Sequence, residues 1–281
     1  MQGNNLDNYN RLKDYLQSLG SVVVAFSGGV DSSLLTYAAR DALGDNMAAV
    51  TARSHAFPER ELNESKSFCA QNGIKQFIIV SEELDVEGFK NNPPNRCYLC
   101  KSELFTKIRQ VAVDNGYADV VEGSNVDDKG DYRPGLVAIK EQGIKSPFLE
   151  IGMGKQEIRS ISKDLGLPTW DKPSFACLSS RLPYGEEITV QKLSQIDKAE
   201  QFLLDLGFKQ VRVRHHKNIA RIETDDAGFE LLLNSETRRK VNEYVKSQGF
   251  AYVALDLRGY KTGSMNEMLS QKTIEAVVAS T

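Results

Sequence analysis

Val22-Val23-Val24-Ala25-Phe26 is a run of five consecutive apolar residues, and Ser27-Gly28-Gly29-Val30-Asp31-Ser32-Ser33 follows it without a break. A short run that is apolar at every position predicts a strand covered on both faces, as in parallel sheets packed between helices. A helical pattern over 31–43, stopped by Gly44, makes the whole a strand-loop-helix unit. In such a loop Gly28 and Gly29 adopt conformations closed to other residues and aim consecutive N–H groups at one point. Ser27, Ser32 and Ser33 add hydroxyls, and the helix adds its positive end. The stretch therefore predicts a bound anion. It contains no lysine, which excludes the G-x-x-x-x-G-K-[ST] loop. Asp31 would repel a phosphate unless a cation bridged them, so Mg²⁺ is expected too.

The unit is the first of a series. Leu12, Tyr15, Leu16 and Leu19 recur at helical spacing ahead of it. Strands are expected at 47–50, 77–80 and 118–121, with a fifth at 147–151, and helices at 58–71, 99–115 and 155–165. Alternation of this kind implies an α/β fold with an open parallel sheet. Ligands of such sheets sit beyond the carboxyl ends of the strands where the strand order reverses. The glycine loop lies at one strand end and Glu122-Gly123-Ser124-Asn125 at another. Past about residue 182 the pattern changes to helix 190–206, strands 210–215 and 219–224, helix 235–248 and strand 252–257. That order predicts a small α+β domain. Leu182-Pro183-Tyr184-Gly185 is the junction, giving domains 1–182 and 183–281.

Apolar content of 41% and charged content of 26% fit a soluble globular protein. The net charge of −3 counts against nucleic acid and anionic membranes as partners. No apolar run approaches the roughly 18 residues of a membrane span, and the N-terminus lacks a signal-peptide core. A cytoplasmic protein is expected, and there the four cysteines are metal or redox candidates before they are disulfides. Cys69, seven residues from Leu62 on a helix face, reads as core. Cys97 and Cys100 form a C-x₂-C pair just before the helix expected from Lys101, and Cys177 lies just before the junction. Two thiolates from the pair and a distant third can hold three irons of a [4Fe–4S] cluster and leave the fourth open for sulfide. A zinc knuckle is the alternative, but zinc prefers four closed ligands, and the three histidines, His55, His215 and His216, lie elsewhere.

In the second domain Arg212 and Arg214 are two apart on a strand and share a face, with Val211 and Val213 on the other. A tight turn at Lys217-Asn218 sets Arg214 opposite Arg221 and Arg212 opposite Glu223. Opposed arginines are costly unless an anion lies between them, and a substrate phosphate would serve. A solvated face of surface ion pairs is the other reading.

Ser27-Gly28-Gly29-Val30-Asp31-Ser32 resembles the PP-loop of ATP pyrophosphatases, a Rossmann-like fold of the adenine nucleotide alpha hydrolase type. These enzymes split ATP between the α- and β-phosphates and leave AMP on a substrate oxygen. The resemblance narrows with Arg96-Cys97-Tyr98-Leu99-Cys100-Lys101, Pro173-Ser174-Phe175-Ala176-Cys177-Leu178-Ser179-Ser180-Arg181, Val211-Arg212-Val213-Arg214 and Gly259-Tyr260-Lys261-Thr262-Gly263-Ser264. Through these the chain resembles the LarE-type sulfur transferases of nickel-pincer cofactor biosynthesis. The resemblance implies adenylation of a carboxylate of pyridinium-3,5-biscarboxylic acid mononucleotide and its conversion to a thiocarboxylate. It implies that Ser27, Gly28, Gly29, Asp31, Ser32 and Ser33 hold ATP and Mg²⁺, with Thr51, Gly123 and Ser124 on the adenosine side. Ser180, Arg181, Arg212 and Arg214 would bind the substrate, and Glu200 and Glu223 a divalent cation. In one style of the family a cysteine at the Cys177 position gives up its own sulfur. In the other, three cysteines, here Cys97, Cys100 and Cys177, hold a [4Fe–4S] cluster fed by a sulfide source. The chain matches the cluster style. Homo-oligomers, commonly hexamers, are also implied. A PP-loop tRNA thiolase and a non-catalytic nucleotide sensor are the rival readings.

Overall fold

The computed structural model describes residues 1, 3–128, 133–173, 175–261 and 263–269; Ser174 and Thr262 of the quoted motifs, and the end of the second expected domain, lie outside them. Residues 1–86 and 95–175 form one compact unit, and 87–94 with 176–269 belong to a second. No helix among the described residues is long and apolar enough to cross a membrane.

In the first unit α1 (Asn4–Ser18) leads to β1 (Val22–Ala25), α2 (Val30–Leu43), β2 (Met47–Arg53), α3 (Glu59–Gln71) and β3 (Gln76–Val80). Then come α4 (Arg96–Asp114), β4 (Asp119–Val121), α5 (Pro134–Glu141), α6 (Pro147–Ile151) and α7 (Lys155–Asp164). The strands form a parallel sheet in the order β3-β2-β1-β4. Period-two geometry divides β1 between two cores. Val22 and Val24 pack with Leu12, Leu16, Leu34, Phe68 and Ile158, while Val23 packs with Val50, Phe105, Ile108 and Ile139. The strand is therefore apolar throughout because helices cover both of its faces. Cys69 is buried in the first of these cores, as expected, and burial pushes its thiol up to about 12.

Two readings are corrected. The segment 147–151 is the helix α6, not a fifth strand. Pro147 cannot donate to a ladder but suits a first helical turn, and Gly152 ends the helix with φ 73°. A single parallel bridge, Val121 to Lys145, is all that extends the sheet there. The fourth helix begins at Arg96, ahead of the expected start, so Cys97 and Cys100 are its second and fifth residues.

In the second unit α8 (Val190–Asp205) precedes β5 (Val211–His216), β6 (Ile219–Thr224), α9 (Asp226–Leu233), α10 (Ser235–Ser247) and β7 (Tyr252–Leu255). The short helix α9, capped by Asp225, was not foreseen. The sheet order is β5-β6-β7, antiparallel then parallel. Ala199 and Leu203 of α8 and Val241 and Val245 of α10 cover its apolar face. Compactness places 176–182 in this unit, ahead of the expected junction, because Arg181 is paired with Glu200 of α8.

Candidate functional site

The sheet order reverses between β1 and β4, so the loops after these strands flank its switch point. Gly28 has φ 72°, a conformation that favours glycine. Gly29 caps α2 with extended backbone and no side-chain cap. The Ser33 N–H donates to the Gly29 carbonyl, so the N–H groups of Val30, Asp31 and Ser32 are those a first helical turn leaves without intrahelical partners. Ser27 is exposed, and its Oγ lies 3.1 Å from Ser32 Oγ. Ser33 is wholly buried, and its Oγ is an orphaned polar atom. A Cβ on Gly123 would stand 3.1 Å from the Ser32 nitrogen and 3.3 Å from Asp31. The loop after β4 thus closes on the first turn of α2 at a glycine, where a side chain would crowd the anion cradle.

That loop is itself fixed by carboxylates. Glu122 accepts from the Ser124 N–H at 3.0 Å, from Ser124 Oγ at 2.8 Å, and from Ser146 Oγ. Asp128 accepts from the Asn125 N–H at 3.0 Å. Asn125 Nδ2 points to Asp31 Oδ1 at 3.4 Å. Thr51 is buried, donating to the Phe26 carbonyl and accepting from Gln76, so its hydroxyl braces the ends of β1 and β2.

The lysine absent from the loop is present in space. Lys155, the first residue of α7, places Nζ 2.5 Å from Asp31 Oδ2 across 124 residues of sequence. Lys172 Nζ donates to the Gly28 carbonyl at 3.2 Å, to Glu61 at 2.7 Å and to Glu64 at 2.5 Å. Neither was singled out from sequence. A trace existed for Lys155, since a cation in a first helical turn opposes the helix dipole and needs a local reason. Burial pushes the Asp31 carboxyl above its ordinary value; Lys155 and Arg159 oppose that push and Asp128 adds to it. A half-buried carboxylate oxygen beside a phosphate cradle suits a hard divalent cation.

Cys97 and Cys100, three apart on α4 and both half-buried, share a helix face. Among the described residues no group of three or more His, Cys, Asp or Glu side chains that could hold a metal ion comes together around these two thiols or elsewhere. Gly135 lets α5 approach this turn, since a Cβ there would meet Lys101 Cδ at 2.7 Å. Cys177 belongs to the second unit and is exposed.

In the second unit the predicted register is found: Arg212 is opposite Glu223 and Arg214 opposite Arg221. The anion between the opposed arginines is Glu223. Its Oε2 accepts from Arg214 Nε at 3.0 Å and Nη2 at 2.7 Å, and Arg221 Nη2 lies 3.0 Å from Oε1. Arg214 also donates to the Ser180 carbonyl at 2.9 Å and to Ser264 Oγ at 3.1 Å. Arg212 lies 5.1 Å over the Tyr260 ring. Arg181, fully buried, forms a forked pair with Glu200 at 2.8 and 2.9 Å and donates to the carbonyls of Ala176 and Cys177 and to Ser180 Oγ. It builds the turn that carries Cys177. Complete burial works against the Glu200 charge, yet Arg181, Arg212 and the Val213 N–H hold its acid below the usual range. Burial and then the charge of Arg181 push Arg212 down. Both Glu200 oxygens and Glu223 Oε2 serve arginines or the Val213 N–H, while the buried Glu223 Oε1 accepts no hydrogen bond and lies 3.0 Å from Arg221 Nη2.

A family model described as NAD synthase matches residues 6–113. The chain is 39% identical over 259 residues to the pyridinium-3,5-bisthiocarboxylic acid mononucleotide synthase of Lactiplantibacillus plantarum, covering 91% of this chain and 92% of that protein. It is 42% identical to an uncharacterized protein of a Synechocystis species, covering 92% of this chain and 97% of that one. With an uncharacterized protein of Methanocaldococcus jannaschii it shares 30% identity over 90% of this chain and 95% of the other.

Proposed function

The chain belongs to the LarE-type sulfur transferase family of PP-loop enzymes, and on that premise we propose that it adenylates a carboxylate of pyridinium-3,5-biscarboxylic acid mononucleotide and converts it to a thiocarboxylate. The observation that carries this reading is the meeting of the two strand-end loops at the open first turn of α2, with Gly123 facing Asp31 and Ser32.

A carboxylate is a poor electrophile, and oxide is not a leaving group. Attack of its oxygen on the α-phosphorus of ATP forms a mixed anhydride, and the bond to the β-phosphate breaks with release of pyrophosphate. The protein's work is positioning and charge neutralisation. The N–H groups of the loop and the hydroxyls of Ser27 and Ser32 hold the pyrophosphate, with Ser33 beneath them, and Asp31 holds Mg²⁺. Thr51, Gly123 and Ser124 form the adenosine side. Ser180, Arg212 and Arg214 serve the substrate nucleotide, Arg214 through the donors it now shares with Ser264 and Glu223, and the buried Arg181 serves it by holding the turn that carries Ser180.

Cys97, Cys100 and Cys177 would hold a [4Fe–4S] cluster, which when bound supplies an open iron for sulfide from an external source. The alternative is that Cys177 itself attacks the anhydride and expels AMP; cleavage of its own C–S bond then leaves dehydroalanine. The exposed position of Cys177 supports access in either case. The working form in this proposal is a cytoplasmic homo-oligomer with no nucleic-acid partner.

The test is incubation of anaerobically purified protein with ATP, Mg²⁺ and the dicarboxylate nucleotide. Pyrophosphate release that depends on the nucleotide is expected, and its absence overturns the reading. Iron and sulfide analysis with intact mass after turnover then separates the sulfur sources. A colourless, iron-free protein that has lost H₂S at Cys177 would establish the sacrificial route.

A further inference from the structure

Arg221 faces Arg214 across β5 and β6, and three groups surround its guanidinium. Its Nε donates to His216 Nε2 at 3.1 Å, and its Nη1 donates to Asp256. Its Nη2 lies 3.0 Å from Glu223 Oε1, yet that buried oxygen accepts no hydrogen bond. Among the described residues the Glu223 carboxylate thus accepts from Arg214 alone, through Oε2. A guanidinium only donates, so the His216 nitrogen it meets carries a lone pair. The imidazole is neutral, with its proton on Nδ1.

That contact cannot survive a proton on Nε2. N–H would then face N–H, with two like charges together in a half-buried place. Arg221 keeps Asp256, and the acceptor still open to it is Glu223 Oε1. Shared between two guanidiniums, the Glu223 charge no longer neutralises Arg214 by itself. The charges facing His216 come from Arg214 on its own strand, Arg221 and Glu223 on β6, and Glu186 ahead of α8. Burial first and Arg221 next hold this imidazole below its ordinary value. Arg214 adds to that effect, while Glu186 and Glu223 oppose it.

We propose that His216 and Arg221 are positioning residues for an anion site at Arg214. Neutral His216 holds Arg221 off Glu223 and so leaves Glu223 on Arg214. A proton on His216 turns Arg221 onto Glu223 and frees Arg214 for the phosphate of the substrate nucleotide. This role rests on reading Arg214 as a substrate-binding residue, and it adds a proton taken up with the anion.

The probe is sulfate, which stays a dianion where a phosphate monoester changes charge at about pH 6. Its binding is followed by calorimetry on the full chain, with magnesium pyrophosphate at saturation so that the glycine loop is filled. Wild type is expected to bind sulfate about fivefold more tightly at about pH 5.5 than at about pH 7.5, the scale of one partly screened charge contact. His216→Gln, which keeps a neutral acceptor for Arg221, is expected to bind as wild type does at the higher pH and to show no such change. In Arg221→Gln the change should shrink to under about twofold although His216 still titrates, because its charge alone acts through solvent. His215→Phe, on the opposite face of β5 beside Phe250, is expected to keep the full change. A full change in His216→Gln or in Arg221→Gln, or none in wild type, overturns the role. Wild-type protein that binds no sulfate at either pH would overturn Arg214 as an anion site, and the two failures are thereby distinct.

Discussion

Glu200 shows how far one residue's role can differ from its apparent helix position. It would pass for a solvent-facing carboxylate, yet it is 1% exposed and holds the fully buried Arg181. Removing one partner of a buried pair strands the other charge. Glu200→Ala is therefore expected to cost about 3–5 kcal/mol of folding free energy, read from urea denaturation, and to loosen the turn at Cys177. A loss under about 1 kcal/mol would mean that Arg181 finds another counter-charge. A second residue-scale expectation concerns pH. Burial holds His215 and His216 below the ordinary histidine value of 6.5, with Glu186 pulling His215 the other way at 3.2 Å. Between the folded values and 6.5 the unfolded chain binds more protons, so stability rises with pH. The contribution is complete above 6.5 and is lost as pH falls through the histidine range. Melting temperature followed through that range should drop toward acid, and His215→Phe should flatten part of the slope.

Elements set by neighbouring residues were legible, and those set by distant partners were not. The strand β1, the glycine turn and α2 follow from an apolar run and two glycines. The β5–β6 register follows from a two-residue turn at Lys217-Asn218, where Lys217 takes φ 55°. What fills the gap between Arg214 and Arg221 did not follow. Opposition placed Glu223 across from Arg212, whereas its carboxylate reaches diagonally to Arg214, a contact open to long side chains. For the same reason Lys155 and Lys172 were missed: neither carries a local pattern that names Asp31 or Gly28. The segment 147–151 failed differently, because five residues carry too little periodicity to separate strand from helix. The meeting of the β4 loop with α2 makes a further claim at this scale. Gly123 faces backbone atoms of Asp31 and Ser32, which cannot swing aside as a flexible side chain would. Gly123→Ala should cost about 1–3 kcal/mol by overpacking and weaken magnesium ATP binding beyond that loss. Unchanged nucleotide affinity would show that the loop is not part of the cradle.

At the scale of the whole molecule, sequence order and compactness part company. The segment 87–94 lies between β3 and α4 in the chain but belongs to the second unit. Its anchor is Asn92, fully buried with φ 50°, a left-handed conformation that asparagine tolerates better than most residues. Asn92 Nδ2 donates to the carbonyls of Leu182 and Pro183 at 3.1 and 2.6 Å, and its own carbonyl accepts from the Gly185 N–H. The Ile188 N–H donates to the Lys90 carbonyl at 2.8 Å. This excursion could not be read from the sequence, where 91–94 is a polar, proline-bearing loop between a strand and a helix of the first unit. Its stability should therefore follow the second core and not the sheet beside it in sequence. Leu203 is wholly buried in that second core. Leu203→Ala should cost about 2–5 kcal/mol, and amide hydrogen exchange would report where the loss is felt. Protection is expected to fall over 176–269 and over 87–94 together, while β1 and β2 keep theirs, because opening follows cooperative units and not chain order. If 87–94 kept its protection while β5 and β6 lost theirs, the segment would fold with its sequence neighbours, and the bonds from Asn92 would not govern it.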